Sequence, residues 1–284
     1  MDLVIFGKQA SQDFEIGLDP KIKEFILVNS FIQELDLSAL PKCKNLQEVV
    51  LSSNNLIEID LSPLAKCLKL KKLDLSNNQL LDVDLTPLSS CTQLETLYLQ
   101  NNLITSIDLS PLRRNRNLRI LNLDYNLLSS VKLPKTTQWE NIEEVRIYSN
   151  FLKKFNLNAL DNCKKIREID LGDNLLSKID LKPLYNYNKI DSISLERNKL
   201  KEIDLTLLDE TQNPYVLCTD PNVTLKRLYT SSSDTKTKIV YSKGEYYNED
   251  QERILDNFLI SEKEEKILQR EELLNELLKN ESET

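Results

Sequence analysis

The sequence predicts an α/β solenoid: a curved parallel sheet on the concave side, short helical turns on the convex side, and a helix near the C-terminus. Three observations predict it. Asn54, Asn78, Asn102, Asn126, Asn150, Asn174 and Asn198 recur every 24 residues without slippage. Each sits in an apolar frame of the form LxxLxLxxNxL, as in Leu70, Leu73, Leu75, Asn78 and Leu80, or Ile166, Ile169, Leu171, Asn174 and Leu176. The rest of the unit repeats I-D-L-S/T-P-L, with Pro63, Pro87 and Pro111 following Ser62, Thr86 and Ser110.

The alternating Leu-x-Leu is a strand with one buried face. So short a strand buries that face only if its neighbours stack on it, which demands a continuous array. The asparagine falls where the chain leaves the strand. Its amide both donates and accepts, so a buried column of them can satisfy turn groups that have lost water. These seven residues are therefore read as a structural ladder and not as a ligand set. Ser or Thr before Pro reads as an N-cap followed by the first helical position, with Leu64, Leu88, Leu112, Leu160 and Leu184 pointing inward. A first copy uses Ile22, Phe25, Leu27 and Ile32, with Ser30 in the asparagine slot, which makes eight repeats. A degenerate ninth places Leu217, Thr219 and Asn222 at the matching offsets.

Over roughly residues 22–222 this pattern resembles the leucine-rich-repeat family. The unit is similar to the short intracellular repeats of phosphatase-regulatory and other scaffold proteins, but is a strict 24 residues long and carries the added D-L-S-P-L element. The resemblance implies recognition through exposed positions of the parallel strands. Those positions, from Glu24 to Glu196, hold eight acidic and two basic residues. The candidate partner-binding residues are Asp74, Tyr98, Gln100, Asn122, Asp124, Tyr125, Arg146, Tyr148, Asp170 and Glu196. Tyrosine and arginine are favoured interface anchors, and a carboxylate rim selects a partner with a basic surface.

Composition closes most catalytic routes. There is no histidine, so triads, His-ligated zinc and histidine switching are excluded. Gly7, Gly17, Gly172 and Gly244 are too scattered for a phosphate loop. No cofactor and no metal are expected. Cys43, Cys67, Cys91 and Cys163 share one repeat position, which holds Asn115, Trp139, Tyr187 and Thr211 elsewhere; that mixture fits reduced thiols at a packing site. Cys218 falls outside the register. Asp36, Asp60, Asp84, Asp108, Asp180 and Asp204 form a second column, interrupted by Lys132 and Asn156. Turn capping explains it better than calcium, since no glycine-rich ligand loop accompanies it.

Charge is unevenly placed. From Glu245 to Thr284 there are thirteen acidic and five basic residues, which accounts for the whole net charge of −8. The remaining body is neutral, so an acidic concave face requires basic flanks, to which Arg113, Arg114, Arg116, Arg119, Lys153, Lys154, Lys164, Lys165 and Arg167 contribute. This balance argues against nucleic acid as a partner. No apolar run approaches the ~18 residues of a membrane helix, and the N-terminal stretch has no export signal, so a cytoplasmic location is expected.

Four regions follow: an N-terminal cap over 1–21, using Phe6, Phe14 and Ile16; repeats over 22–222; a capping hairpin over 223–244; and an acidic amphipathic helix over 245–284. That helix rests on the far end or a basic flank of the solenoid, burying Phe258, Ile267 and Leu274, or it pairs with another chain. The expected function is a non-catalytic interaction scaffold or adaptor. The alternative is a regulatory subunit or activator of an enzyme such as a phosphatase or GTPase. Oligomeric state is left open, with a monomer favoured.

Overall fold

The computed structural model describes residues 3–9, 12–134, 138–184, 187, 189–206, 216–226, 238–241 and 263–275. The first strands are β1 (Leu3–Gln9), β2 (Gln12–Leu18), β3 (Glu24–Ile26), β4 (Ile32–Leu35), β5 (Glu48–Val50), β6 (Lys72–Asp74), β7 (Thr96–Tyr98), β8 (Ser106–Asp108) and β9 (Ile120–Asn122). They continue as β10 (Ser130–Lys132), β11 (Glu144–Arg146), β12 (Glu168–Asp170), β13 (Ser192–Ser194), β14 (Glu202–Asp204), β15 (Val216–Thr219), β16 (Thr224–Lys226) and β17 (Lys238–Tyr241). A helix, α1, covers 263–275.

The main sheet has ten parallel strands in the order β17-β15-β13-β12-β11-β9-β7-β6-β5-β3. Its register steps by one repeat: Val49 faces Leu73, Leu73 faces Leu97, and Val145 faces Ile169. The central residue of each strand is buried and its two neighbours are half-buried over most of the sheet. Two short parallel pairs, β8 with β10 and β14 with β16, lie outside this sheet.

The asparagine ladder forms as the sequence reading requires. Asn78 donates from Nδ2 to the Leu51 and Leu75 carbonyls at 3.0 and 3.1 Å, while its Oδ1 accepts the Leu56 amide at 3.1 Å. Each amide thereby ties its own turn to the preceding repeat. The residue just before each asparagine is left-handed, including Tyr125 at φ 54° and Arg197 at φ 58°. Such backbone costs about 1–3 kcal/mol at a non-glycine residue, and the ladder bonds offset it. At the far end Asn222, 24 residues after Asn198, is exposed. Asp220 accepts the Arg197 amide at 2.9 Å and the Asn198 amide at 3.3 Å, standing in for the backbone carbonyls that accept the matching amides in earlier repeats, such as Gln100 for Asn77 and Asn101 for Asn78. Both carboxylate oxygens are used here as acceptors, a geometry that simple counting by 24 does not find.

On the convex side the proline elements are 3-10 turns such as Ser62–Lys66, Thr86–Ser90 and Ser110–Arg114. Their inward leucines Leu64, Leu88 and Leu112 are fully buried. The expected Ser/Thr caps are not used: no side-chain cap bond forms at these starts. Instead Asp60 accepts the Ser62 amide and Asp84 the Thr86 amide, each at 2.8 Å. The hydroxyl and amide of Ser62 hold the Asp60 carboxyl below its ordinary range. The aspartate column is thus turn capping. Lys132, which interrupts it, bonds Asp108 of the neighbouring repeat.

The cysteine column has a role beyond filling space. Cys91 Sγ lies 3.3 Å from the Leu64 carbonyl, Asn115 Nδ2 donates to the Leu88 carbonyl at 3.1 Å, and Trp139 Nε1 donates to the Leu112 carbonyl at 2.7 Å. The Tyr187 hydroxyl donates to the Leu160 carbonyl. Four different donors satisfy the same carbonyl of the preceding 3-10 turn. In these four repeats the slot holds a donor as well as an apolar volume, which fits Asn, Trp and Tyr standing where others have Cys; Cys43 and Cys67 approach the Asp19 and Pro63 carbonyls instead.

All five cysteines are free, and the four in register are buried. Burial pushes the Cys67 thiol up to about 11 and that of Cys91 to about 12. Little thiolate exists near neutral pH, and thiolate is the reactive form. Titration with an aromatic disulfide reagent is expected to modify half-exposed Cys218 alone in the folded protein, and all five after unfolding. Rapid modification of four or more native thiols would contradict this burial.

At the N-terminus β1 pairs antiparallel with both β2 and β4. Leu3 and Ile5 enter the core, with Phe14 and Ile16 packed against it, whereas Phe6 is half-exposed, contrary to expectation. Gly7 is required by close approach, since a Cβ there would lie 2.4 Å from Phe14 and 2.8 Å from the Glu34 carbonyl. The hairpin expected over 223–244 is not formed by its described strands. β16 pairs parallel with β14 and β17 pairs parallel with β15, so both extend the repeat architecture. An open parallel edge is completed most directly by another parallel strand, and alternation alone does not tell the two cases apart.

Candidate functional site

The strand positions named from the sequence gather on the concave sheet, but they are not equally available. Asp124 is buried: its Oδ2 accepts from Arg146 Nε at 3.1 Å and its Oδ1 accepts the Tyr148 amide at 2.7 Å. Burial pushes its carboxyl up, against the pull of those two donors. Arg146 also reaches Glu168 at 3.4 Å, so this arginine is shared between two carboxylates. Asp74, Asn122 and Asp170 each accept the amide two residues ahead, of Ser76, Asp124 and Gly172, at 2.9–3.1 Å. Three expected contact residues thus also hold the bend that leaves the strand.

Tyr98 carries Lys72 over its ring at 5.7 Å. Gln100 is half-buried, and its Oε1 has no hydrogen-bond partner among the described residues. Tyr148 and Tyr125 meet edge to face at 5.5 Å. Gly172 packs closely: a Cβ there would fall 2.9 Å from the Glu196 carboxylate and 3.0 Å from the Tyr148 ring, so a larger residue would have to displace those side chains. Beside it the Asp170 carboxyl is pushed up to about 7, first by burial and then by Glu196 and Asp124, with the Gly172 amide and Arg146 opposing. Burial raises Glu196 as well. The strands β11 to β13 therefore present a half-buried acidic patch walled by Tyr148.

The raised Asp170 value has a consequence for stability. Between its ordinary value of 3.8 and about 7 the folded protein holds a proton that the unfolded chain has released. Stability contributed at this residue is therefore full at low pH and falls as pH rises through that window. Asp170→Asn is expected to flatten the decline in Tm between pH 4.5 and 7.5. Parallel Tm–pH curves for the two proteins would refute it.

Tyr125 belongs to a different surface. It lies on the ridge of asparagine turns, where α1 docks. Lys263 Nζ bonds the Asn150 and Asp173 carbonyls and pairs with the Asp173 carboxylate at 2.9 Å. Lys266 Nζ donates to Asn101 Oδ1 and the Tyr125 carbonyl, both at 2.7 Å. Arg270 Nη1 donates to the Leu81 and Leu103 carbonyls at 2.8 and 2.6 Å. A helical turn of ~5.4 Å nearly matches a strand spacing of ~4.8 Å, so cations three or four residues apart meet successive repeats. Beneath them Leu81, Leu103 and Leu127 form a separate apolar cluster, joined by Phe151 and Leu273.

This docking departs from the expected one. The helix avoids the concave sheet but occupies the ridge, and it half-buries its cations while Ile267 and Leu274 stay 40% and 38% exposed. The turn carbonyls offer a row of acceptors to its cations. Phe258 lies outside the described residues. A sequence signal for the docking row was available: Leu103, Leu127 and Phe151 are apolar and 24 apart, immediately after their asparagines, where Asn55 and Gln79 are polar. The expected basic flank is partly neutralised, since Arg119 pairs with Glu143 and Arg167 with Asp191 at 2.9 Å each.

Strand stacking, asparagine ladder and convex 3-10 turns together define a leucine-rich-repeat solenoid. Family comparison agrees: residues 20–80 match a leucine rich repeat model, 68–113 a model of two leucine rich repeat copies, and 135–217 a BspA type leucine rich repeat region of six copies. The chain belongs to the leucine-rich-repeat proteins. No curated protein matches it in sequence. Among solved structures it is similar to a leucine-rich-repeat protein of Leptospira interrogans, at 22% identity and TM-score 0.59, over 78% of this chain and 57% of that one. Internalin C2 of Listeria monocytogenes gives 22% identity and TM-score 0.55 over 74% and 84%. A plant peptide hormone receptor, RGFR1, in complex with RGF2 gives 21% and 0.56 over 67% and 30%. At these identities the likeness is one of fold. Among the described residues no group of three or more potential metal ligands occurs, and no helix is long and apolar enough to cross a membrane.

Proposed function

We propose that the chain is a non-catalytic interaction module that binds a basic protein segment on its concave face, in a reducing compartment such as the cytoplasm. The observation that carries this reading is the engagement of Arg146 by Asp124 and Glu168, which leaves Asp74, Glu144, Asp170 and Glu196 on the same face as Tyr98 and Tyr148. An arginine held between two carboxylates is poorly placed to meet a phosphate, which weighs against direct action on a nucleotide. Tyrosine walls supply apolar area, and the carboxylates select charge. The fold-sharing plant receptor seen with RGF2 is consistent with a recognition role for such solenoids. Five free cysteines fit a reducing location.

The test is capture of partners from the native host by the intact protein, read by crosslinking mass spectrometry. Asp74→Lys with Glu144→Lys is expected to abolish the interaction, while Arg113→Glu with Arg114→Glu on the convex side leaves it intact. A basic partner also favours ionised Asp170, so binding is expected to tighten from pH 6 to pH 8. Equal capture by the concave variant would refute the assignment.

A further inference from the structure

The main sheet gains an added strand at one edge and not at the other. At the far edge β17, of sequence Lys-Ile-Val-Tyr, lies parallel on β15, with Ile239 facing Leu217 and Val240 facing Cys218. At the near edge β3 pairs with β5 alone. Leu27 and Asn29 turn their amides to that neighbour, donating to the Val50 and Ser52 carbonyls at 2.8 and 3.4 Å, and the Lys23 carbonyl accepts the Glu48 amide at 3.0 Å. The alternate residues Glu24, Ile26 and Val28 therefore turn their backbone groups the other way, to a side on which no described strand pairs. The Val28 carbonyl takes the Ser30 hydroxyl at 2.9 Å. The side chains at this edge are exposed apolar groups: Ile26 is 49% exposed, Val28 40%, and Phe31, just beyond the strand, 66%. Ile16, Ile22 and Leu27 pack on the core yet stay half-buried, so the first repeat is incompletely covered at this end.

We propose that the free edge of β3 is a docking site for an extended apolar segment of a partner protein, which adds to the sheet as a strand beside residues 24–28. Backbone chemistry names the occupant. A row of outward N–H and C=O groups is matched by another strand, whereas a helix uses its backbone groups internally. The edge is about 17 Å long, room for five extended residues. Incoming residues opposite Ile26 and Val28 share the concave face with them, so apolar β-branched side chains at alternate positions suit this site. The added strand at the far edge, β17, has that apolar character. Charge does not discriminate, since Lys21 and Lys23 precede Glu24 while Glu48 stands beside it. A second copy fits poorly. β1 pairs with β4 where the strand of a preceding repeat would lie, and β2 lies beyond it. This hairpin projects two strand spacings, about 10 Å, past the first repeat. Two copies joined through β3, a single spacing apart, would drive their hairpins into the same space. Residues 276–284 of this chain hold their two leucines side by side and do not alternate. The edge is read through backbone groups, so its occupation does not depend on the carboxylates of the concave face.

The probe is a labelled, end-capped eight-residue peptide of alternating valine and threonine, titrated against the full chain by fluorescence anisotropy. An analogue N-methylated at every residue keeps the side chains and loses every backbone donor. Only the unmethylated peptide is expected to saturate. Hydrogen exchange followed by NMR is expected to be fast at the Ile26 and Val28 amides of the free protein and at least tenfold slower in the complex, while the Leu27 amide, already bonded, is slow in both. Ile26→Lys with Val28→Lys changes only exposed side chains and is expected to weaken binding at least tenfold with an unchanged circular dichroism spectrum. Asp74→Lys with Glu144→Lys on the concave face is expected to leave the affinity unchanged, which separates failure here from failure of the concave-face reading. Equal binding of the methylated analogue, or slow exchange at Ile26 and Val28 in the free protein, overturns the proposal. Protection that appears over 216–219 and not at β3 overturns it in favour of the far edge. Peptide binding seen only after removal of 276–284 overturns it in favour of the chain's own tail. Concentration-dependent dimerisation abolished by the two lysine substitutions in β3 overturns it in favour of a second copy.

Discussion

Asn126→Ala is expected to lower the unfolding free energy by about 3–5 kcal/mol, from at least three buried backbone groups that lose their partner at about 1–3 kcal/mol each, less what entering water restores. The side chain is 1% exposed. Its Nδ2 donates to the Leu99, Leu123 and Asp124 carbonyls at 3.0, 3.1 and 3.2 Å, and its Oδ1 accepts the Ile104 amide at 3.2 Å. Because a repeat array is held by nearest-neighbour contacts, a loss in the middle also weakens coupling between its halves. Urea denaturation followed by circular dichroism should show an earlier and broader transition. Asn126→Asp keeps the acceptor but points a carboxylate at three carbonyls. It should be at least as damaging at pH 8 and recover partly at pH 4, where the carboxyl can protonate and donate. A midpoint within error of the parent for either variant would mean that these turns are held by something else.

Trp139→Ala should cost about 3–5 kcal/mol, the usual range for emptying a buried aromatic site. Trp139 is 1% exposed and stands where other repeats place cysteine, so no neighbouring copy supplies the missing volume. Two effects separate with a second variant. Trp139→Phe retains most of the volume but leaves the Leu112 carbonyl without the indole donor it meets at 2.7 Å, a loss of about 1–3 kcal/mol. If the column is a donor column, Trp139→Phe should be clearly destabilised despite its fit. Parity between Trp139→Phe and the parent would reduce the column to packing alone. Trp139 is the single tryptophan, so the parent can be followed by fluorescence and the variants by circular dichroism.

The partner-facing surfaces differ in how they can be perturbed. On the concave sheet Asp74, Asn122 and Asp170 both face outward and hold the turn amides of Ser76, Asp124 and Gly172. Substitution there mixes recognition with local stability, so a conservative change such as Asp170→Asn is more informative than alanine. On β3, Ile26 and Val28 are exposed. Their side chains can be exchanged with less structural cost, since surface substitutions usually change stability little.

Much was determined by the sequence alone, because a repeat confronts each residue type with the same neighbours many times over. Period 24, Leu-x-Leu and the asparagine ladder required a parallel stack, and the inward Leu64, Leu88 and Leu112 followed from the proline elements. The aspartate column was legible as turn capping because a short carboxylate two residues before an amide can hardly do otherwise. Features that depend on contacts between distant segments were decided only by the tertiary structure. Counting by 24 gave Asn222, which is exposed, whereas the Asp220 carboxylate accepts the Arg197 and Asn198 amides where earlier repeats use backbone carbonyls. Asp124 looked exposed by position, but Arg146, one repeat away, and the Tyr148 amide draw it into the sheet. The apolar stripe of the C-terminal segment suggested burial of Ile267 and Leu274. The structure instead turns Lys263, Lys266 and Arg270 inward and half-buries them, because a helical pitch close to the strand spacing aligns three cations with a row of turn carbonyls. That match exists only once the repeats are stacked, and it leaves the acidic, apolar side of the helix facing outward.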